Sequence, residues 1–149
     1  MNNMRTLGID YGDARVGIAI SDALGITAQG LETIHHKGND KVVLKRLEEV
    51  IVQYEVNTIA IGMPYHMDGR SSDRVEVTKQ FIHKLNCKFN KVKVVEIDER
   101  LTTVSAHRTM NFLEVNKNKK REIVDTISAV YILEIYMNRK KNEDENNVV

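Results

Sequence analysis

The stretch Leu7-Gly8-Ile9-Asp10-Tyr11-Gly12 closes an apolar run with an aspartate and a glycine, and a second apolar run begins at Arg15 and continues to Asp22. Two strands joined by a tight turn fit this pattern. Asp10 then lies at the C-terminal end of the first strand. An ionised carboxylate is costly to bury without a partner, so Asp10 is a candidate functional residue rather than a core residue.

The remaining segments predict an α/β chain with the order β-β-β-α-β-α-β-α-α, because short apolar runs alternate with segments of helical periodicity. The strands are expected at Arg5–Asp10, Ala14–Asp22, Ile26–Ile34, Thr58–Gly62 and Val92–Ile97, and the helices after Asn39, after Ser71, from Thr102 or Thr103 to Leu113, and from Glu122 to Met137.

Short links make the first three strands an antiparallel meander, and helical crossovers make the last two parallel to the first. The prediction is a five-stranded mixed sheet in the order 3-2-1-4-5 with flanking helices. Ligands in open α/β sheets bind at the carboxyl ends of the strands. Asp10, the segment Gly62-Met63-Pro64 and Glu99 are expected to meet at that edge.

Length and composition bound the organisation of the chain. With 149 residues, 42% of them hydrophobic, it can build one core. We expect a domain over residues 1–138 and a polar, frayed tail over 139–149. The 22 Lys and Arg residues nearly balance 21 acids, giving a net charge of +1. Only local clustering of the basic residues would then favour nucleic acid.

A cytoplasmic location without membrane contact is expected. The single cysteine, Cys87, allows no internal disulfide, and no signal peptide or membrane-spanning run is present in the sequence. The histidines lack the spacing of zinc ligands and are expected to be surface or partly packed residues. They are His35, His36, His66, His83 and His107.

The order of elements resembles the ribonuclease H-like fold, and four motifs resemble the YqgF (RuvX) family, first described as Holliday junction resolvases and now as nucleases of pre-16S rRNA. The motifs are Asp10-Tyr11-Gly12, Gly62-Met63-Pro64 with Met67-Asp68-Gly69, Asp98-Glu99-Arg100-Leu101-Thr102-Thr103, and Val124-Asp125 followed by Ser128-Ala129-Val130. Each motif alone is weak, but the four in this order are specific. The resemblance covers residues 5–137. It departs from the family at His66, where an asparagine often stands.

The resemblance implies that Asp10, Glu99 and Asp125 are catalytic and hold one or two Mg²⁺ or Mn²⁺ ions. The chemistry agrees, because two-metal sites activate water and stabilise the leaving oxygen in phosphodiester hydrolysis. Mg²⁺ prefers oxygen ligands and retains several waters, so two or three carboxylates suffice.

Each acid also has a structural interpretation. Asp10 could cap the turn through Gly12. Asp98 and Glu99 alternate in direction if the strand continues, so only one of them can face the site. Asp125 could pair with Arg121, one helical turn earlier.

Basic residues near the acids are candidates for substrate binding. Lys117, Lys119, Lys120 and Arg121 are expected to form a loop before the last helix, since cations oppose the dipole at a helix N-terminus. The loop is either a phosphate clamp or a solvated connector. Arg100 and Arg70 are further candidates, because arginine binds phosphate bidentately. Aromatic residues make up only 5%, which favours recognition of backbone and shape over base stacking.

The sequence therefore predicts a metal-dependent nuclease acting on structured RNA, with pre-16S rRNA first and the ribosome as a further partner. The alternatives are a resolvase of branched DNA, which requires a dimer of suitable geometry, and a non-catalytic nucleic-acid-binding module. A phosphotransferase of the actin-like kind would need two such domains. The chain is expected to be a monomer or a weak homodimer.

Overall fold

The computed structural model describes residues 5–65, 73–99 and 117–146, with the side chains of the last range described for residues 124–144. Five strands and three helices lie within these ranges. The strands are β1 (Thr6–Tyr11), β2 (Arg15–Ser21), β3 (Ala28–His35), β4 (Thr58–Met63) and β5 (Lys93–Asp98), and the helices are α1 (Asp40–Tyr54), α2 (Asp73–Lys88) and α3 (Lys117–Asn146).

The five strands form one mixed sheet in the order β3-β2-β1-β4-β5, which confirms the predicted topology. β1 pairs antiparallel with β2 and parallel with β4, and β5 continues the parallel half. Asp10 on β1 lies opposite Gly17 on β2, and Gly62 on β4 lies opposite Ile97 on β5. The carboxyl ends of the three parallel strands therefore share one edge.

One face of the sheet carries large apolar side chains and packs against α1 and α2; we call it the large-residue face. Strand alternation places every second residue on it. Phe81 and Leu85 of α2 and Leu47 of α1 are completely buried against it. The buried strand residues of this face are Leu7, Ile9, Tyr11, Val16, Ile18, Ile20, Ile34, Ile59, Ile61 and Met63.

The opposite face, the glycine face, carries small residues and is covered by α3. A Cβ at Gly8 would lie 2.6 Å from the carbonyl oxygen of Ala129 and 2.8 Å from Cβ of Leu133, so the helix backbone rests almost directly on the sheet. Ala129 and Leu133 are completely buried there. The strand residues of the glycine face include Gly8, Gly17, Ala19, Ala60 and Gly62.

The last helix differs from its prediction at both ends. It begins at Lys117 and ends at Asn146, whereas we expected Glu122 to Met137 with a basic loop before it and a frayed tail after it. The expected loop was wrong, because Lys and Arg are good helix formers and this preference outweighs the modest dipole penalty. None of the helices in residues 5–65, 73–99 and 117–146 is both long and apolar enough to cross a membrane. The helix predicted from Thr102 or Thr103 to Leu113 lies outside the described residues.

Candidate active site at the carboxyl edge of the sheet

Asp10 and Glu99 meet on the glycine face. Asp10 shares that face with Gly8 by strand alternation, and Glu99 follows β5 on the side of Ile97. A hydrogen bond joins the two carboxyl groups. Gly62 lies on the strand between them, and a Cβ there would be 2.6 Å from Cγ of Glu99. The missing side chain at Gly62 therefore leaves the space through which Glu99 reaches Asp10.

The pKa of Asp10 is raised well above its ordinary value, first because burial disfavours the charged form. The hydrogen bond to Glu99 and the negative charge of Glu99 raise it further, and the positive charge of Arg74 acts in the opposite direction. The surroundings of Asp10 thus favour its protonated form.

Asp125 reaches the same place from α3. Its backbone contacts Gly17, the residue paired with Asp10 across β1 and β2, so no side chain could be accommodated at Gly17 without moving the helix. Burial raises the pKa of Asp125, the hydrogen bond and charge of Arg15 lower it, and the charge of Asp10 raises it. The negative charge of Asp10 is therefore felt at Asp125.

Arg15 is the partner of Asp125 in this arrangement. Nε of Arg15 donates to Oδ2 of Asp125 at 2.8 Å, and the two side chains are 30% and 17% exposed. The pairing with Arg121 that we considered from the sequence concerns a side chain outside the described residues. Arg15 was not predicted. Its signal was its position on β2, two residues before Gly17 and hence on the same face.

Asp98 belongs to the other face of the sheet. It pairs in register with Met63, which is completely buried on the large-residue face, and it alternates with Glu99 along the chain. Glu99 is therefore the acid of this motif that faces Asp10. The alternative role of Asp10 as a turn cap has less support, because the Gly12 N–H donates to the carbonyl oxygen of Arg15 at 2.9 Å and closes the turn.

The donor set fits a hard cation by its chemistry, since all three side chains offer carboxylate oxygens, which suit Mg²⁺ and Mn²⁺. Within the described residues, no group of three or more His, Cys, Asp or Glu side chains is placed to hold a metal ion as the structure stands. Asp10 is hydrogen-bonded to Glu99, and Asp125 is engaged by Arg15. In the absence of a metal ion, protonation is favoured at Asp10 and the guanidinium of Arg15 neutralises Asp125. The assignment of a metal ion to these acids stays a prediction.

A buried polar cluster supports the turn that follows Asp10. His36 is 4% exposed; its Nε2 lies 2.9 Å from the carbonyl oxygen of Gly12, and its Nδ1 accepts from the N–H of Gly38 at 3.0 Å. These contacts assign a neutral ring with the proton on Nε2. The Tyr11 hydroxyl donates to Oδ1 of Asp40 at 2.6 Å. His36 is more deeply buried than we expected from the sequence.

Arg74, another residue that the sequence did not single out, reaches the edge from the first turn of α2. It donates to the carbonyl oxygen of Tyr11 at 3.0 Å and to Oδ1 of Asp13 at 2.6 Å. Several predicted substrate contacts cannot be placed beside it. Arg70, Arg100, His66 and His107 lie outside the described residues, as do the side chains of Lys117, Lys119, Lys120 and Arg121, whose backbone forms the start of α3.

Comparison with known sequences assigns this arrangement to a family. Residues 4–139 match the family described as RuvX, Holliday junction resolvase. A relative from Ruminiclostridium cellulolyticum named "Putative pre-16S rRNA nuclease" is 52% identical over 136 residues, which cover 91% of this chain and 95% of that relative. A relative of the same name from Acetivibrio thermocellus is 50% identical over 137 residues, covering 92% and 97%.

Solved structures resemble the chain in fold. RuvC from Thermus thermophilus in complex with a Holliday junction substrate gives a TM-score of 0.55 at 14% identity, covering 92% of this chain and 96% of that one. The fowlpox virus Holliday junction resolvase gives 0.53 at 14% identity, covering 91% and 99%. These similarities confirm the predicted ribonuclease H-like fold.

Proposed function

The chain belongs to the RuvX family and is a nuclease that hydrolyses phosphodiester bonds, and from this premise we propose that its substrate is the precursor of 16S rRNA. Relatives that share half of its residues over nearly their whole length carry that substrate in their names. We place the reaction in the cytoplasm, where the precursor and the ribosome are found.

The observation that carries the proposal is the convergence of three acids from distant parts of the chain. Asp10, Glu99 and Asp125 come from a central strand, the end of an edge strand and a covering helix. Asp10 is hydrogen-bonded to Glu99, its charge acts on Asp125, and Gly62 and Gly17 leave room for Glu99 and Asp125. The burial of Asp10 beside Glu99 costs folding free energy, because both burial and the neighbouring acid disfavour its charged form. Functional sites commonly carry perturbed carboxylates of this kind.

We assign these acids to one or two Mg²⁺ or Mn²⁺ ions, which when bound supply an activated water and stabilise the departing oxygen. The protein's own part is to provide the charge. Loss of the proton that the raised pKa of Asp10 favours leaves a carboxylate of Asp10 beside Glu99 on the glycine face. Release of Asp125 from Arg15 completes the set and leaves the guanidinium of Arg15 able to bind a phosphate oxygen.

The substrate backbone would be held by basic residues around this edge. We retain Lys117, Lys119, Lys120 and Arg121, now in the first turns of α3, together with Arg70 and Arg100. A helix N-terminus presents free N–H groups to anions, so cations placed there are better suited to a phosphate ligand than to stabilising the helix.

Resolution of Holliday junctions is a second candidate, favoured by the description of the matched family. Such resolution cuts two opposed strands and therefore needs two sites in a symmetric dimer. A monomer or a weak homodimer, the state we propose, suits a single cut in structured RNA better.

A cleavage assay can test this function. Purified protein is incubated with a labelled RNA spanning the precursor 5′ end, a four-way DNA junction and a linear duplex, each with and without Mg²⁺ or Mn²⁺. We expect metal-dependent cleavage of the RNA first. Preferred cleavage of the four-way junction would instead support the resolvase.

The assay needs a variant in the site and a matched variant outside it. Asp10→Asn should lower kcat by at least about 10²–10³-fold, because it removes a preorganised charge from the reacting centre. Asp98→Asn, which makes the same chemical change on the opposite face, should retain activity. Equal cleavage by the Asp10→Asn variant would show that these acids do not perform the reaction.

A further inference from the structure

Arg74 lies next to the backbone of Tyr11, at the end of β1 that carries Asp10. One of its nitrogens donates to the carbonyl oxygen of Tyr11, the residue that directly follows Asp10, at 3.0 Å. The guanidinium thus stands at the rim of the carboxylate cluster.

The dipole of α2 does not favour a cation at this position. The first turn of a helix favours acids, and α2 has Asp73 and Glu76 there. Arg74 lies between them with the unfavourable sign. Its side chain is directed out of the helix toward β1 and the turn that follows it, where it meets Tyr11 and Asp13.

Asp13, the second hydrogen-bond partner of Arg74, can be displaced by another anion at little cost. Arg74 donates to Oδ1 of Asp13 at 2.6 Å, but the Asp13 side chain is 83% exposed and that of Arg74 is 44% exposed. Ion pairs between exposed side chains contribute little to stability. Arg46 differs from Arg74 in this respect. Its guanidinium donates three hydrogen bonds to Glu32 and one to Glu49, so each of its nitrogens already has a carboxylate partner in the protein.

We propose that Arg74 is a phosphate-binding residue of the nuclease site, and that Asp13 occupies its guanidinium until a phosphodiester of the substrate replaces the carboxylate. A phosphate oxygen can accept the same N–H that now donates to Oδ1 of Asp13, so the exchange replaces one anionic acceptor with another. The hydrogen bond to the Tyr11 carbonyl holds the guanidinium in place during the exchange. This inference rests on the proposed function, because it needs a nucleic acid in the site.

Nucleic-acid binding in metal-free buffer tests the role without cleavage. A fluorescein-labelled RNA hairpin and a labelled DNA duplex are titrated by anisotropy at salt concentrations from about 50 to 200 mM. Arg74→Gln should bind both probes about tenfold more weakly, the effect of losing one charged hydrogen bond. Its log–log salt slope should fall by about 0.7–0.9, the value of one phosphate contact.

The opposite variant separates this role from a structural clamp. Asp13→Asn frees Arg74 and removes a negative charge from the rim, so it should bind both probes more tightly than the wild type. Arg74→Lys should fall between Arg74→Gln and the wild type, because it keeps the charge and loses the fork. Arg46→Gln, with the same change in charge at a distant surface, should keep the wild-type salt slope.

Three outcomes would overturn the assignment. A wild-type salt slope in Arg74→Gln means that Arg74 touches no phosphate, and weaker binding by Asp13→Asn means that the pair only braces the turn. In either case, metal-dependent cleavage by the wild type would leave the nuclease function intact. If the wild type neither binds nor cleaves any of the nucleic acids, the proposed function fails and this inference fails with it.

Discussion

The two faces of the sheet are built from the same strands with opposite side chains. On the large-residue face, branched and aromatic residues interlock with two helices around Phe81 and Leu47. On the glycine face, one helix lies almost on the backbone at Gly8 and Gly17, and three acids lie at one end of it. The first face contributes buried apolar area, and the second leaves room for the helix backbone and for the acidic side chains.

The difference shows how a marginally stable domain can carry a costly site. Burial of large apolar side chains contributes roughly 1.5–3 kcal/mol each, and the large-residue face concentrates that gain. The glycine face lacks such side chains, so α3 can approach the sheet closely. This close approach places Asp125 against Gly17, the residue that pairs with Asp10. Stability and chemistry are thus assigned to opposite sides of one sheet.

Gly17→Val should produce the largest effect and is the strongest test of the glycine face. Its side chain would collide with the backbone of Asp125, which cannot move unless α3 moves. We expect a loss of at least about 3 kcal/mol in the free energy of unfolding, measured with urea, together with loss of cleavage. The adjacent Ile18→Val, on the large-residue face, should cost about 0.5–1.5 kcal/mol. Equal costs for the two variants would remove the distinction between the faces.

Leu47→Ala should separate stability from activity. Leu47 is completely buried between α1 and the large-residue face, so truncation should cost about 2–5 kcal/mol. Below the unfolding temperature, kcat should stay close to that of the wild type, because no carboxylate of the site is moved. A folded Leu47→Ala protein with strongly reduced kcat would show that the two faces are coupled.

Asp10→Asn should give the smallest change in stability of the three variants, a rise in the unfolding temperature in metal-free buffer. The pKa of Asp10 is raised in the folded state, so ionisation destabilises the fold at neutral pH, and the amide removes that cost. The gain in unfolding temperature should be present at pH 7. It should vanish below the ordinary aspartate pKa of about 3.9, where the carboxyl is protonated in both states. Asp98→Asn is the control, and a gain that does not change with pH would contradict the explanation.

Sheet topology followed from the sequence because strand periodicity and linker length constrain it tightly. The tight turn after Asp10 and the helical crossovers before Thr58 and Val92 leave few arrangements. The ends of α3 did not follow, because the rule applied to Lys117–Arg121 concerns an effect of about 0.3–1 kcal/mol per charge. Continuous helix-forming residues outweigh it.

The three acids were predicted from motifs, but their partners were not. Arg15 meets Asp125 because α3 packs on Gly17, and Arg74 meets the end of β1 because α2 lies beside that strand. Neither tertiary contact is indicated by a repeating pattern or a fixed residue spacing in the sequence. The burial of His36 was underestimated for the same reason, because it depends on the contact of its ring with the carbonyl oxygen of Gly12. Alternation along β2 was the one usable signal, because it places Arg15 on the face of Gly17.

The distance along the chain between Arg15 and Asp125 has a consequence for the time at which the protein becomes active. The two residues are 110 positions apart, and a ribosome adds about 5–20 residues per second. Roughly 6–22 s therefore pass between their synthesis. During that interval the strands and α1 and α2 can already bury the large-residue face, while the third carboxylate of the proposed site does not yet exist. A nascent chain of this kind is partly folded but still lacks one of the three acids of the proposed site.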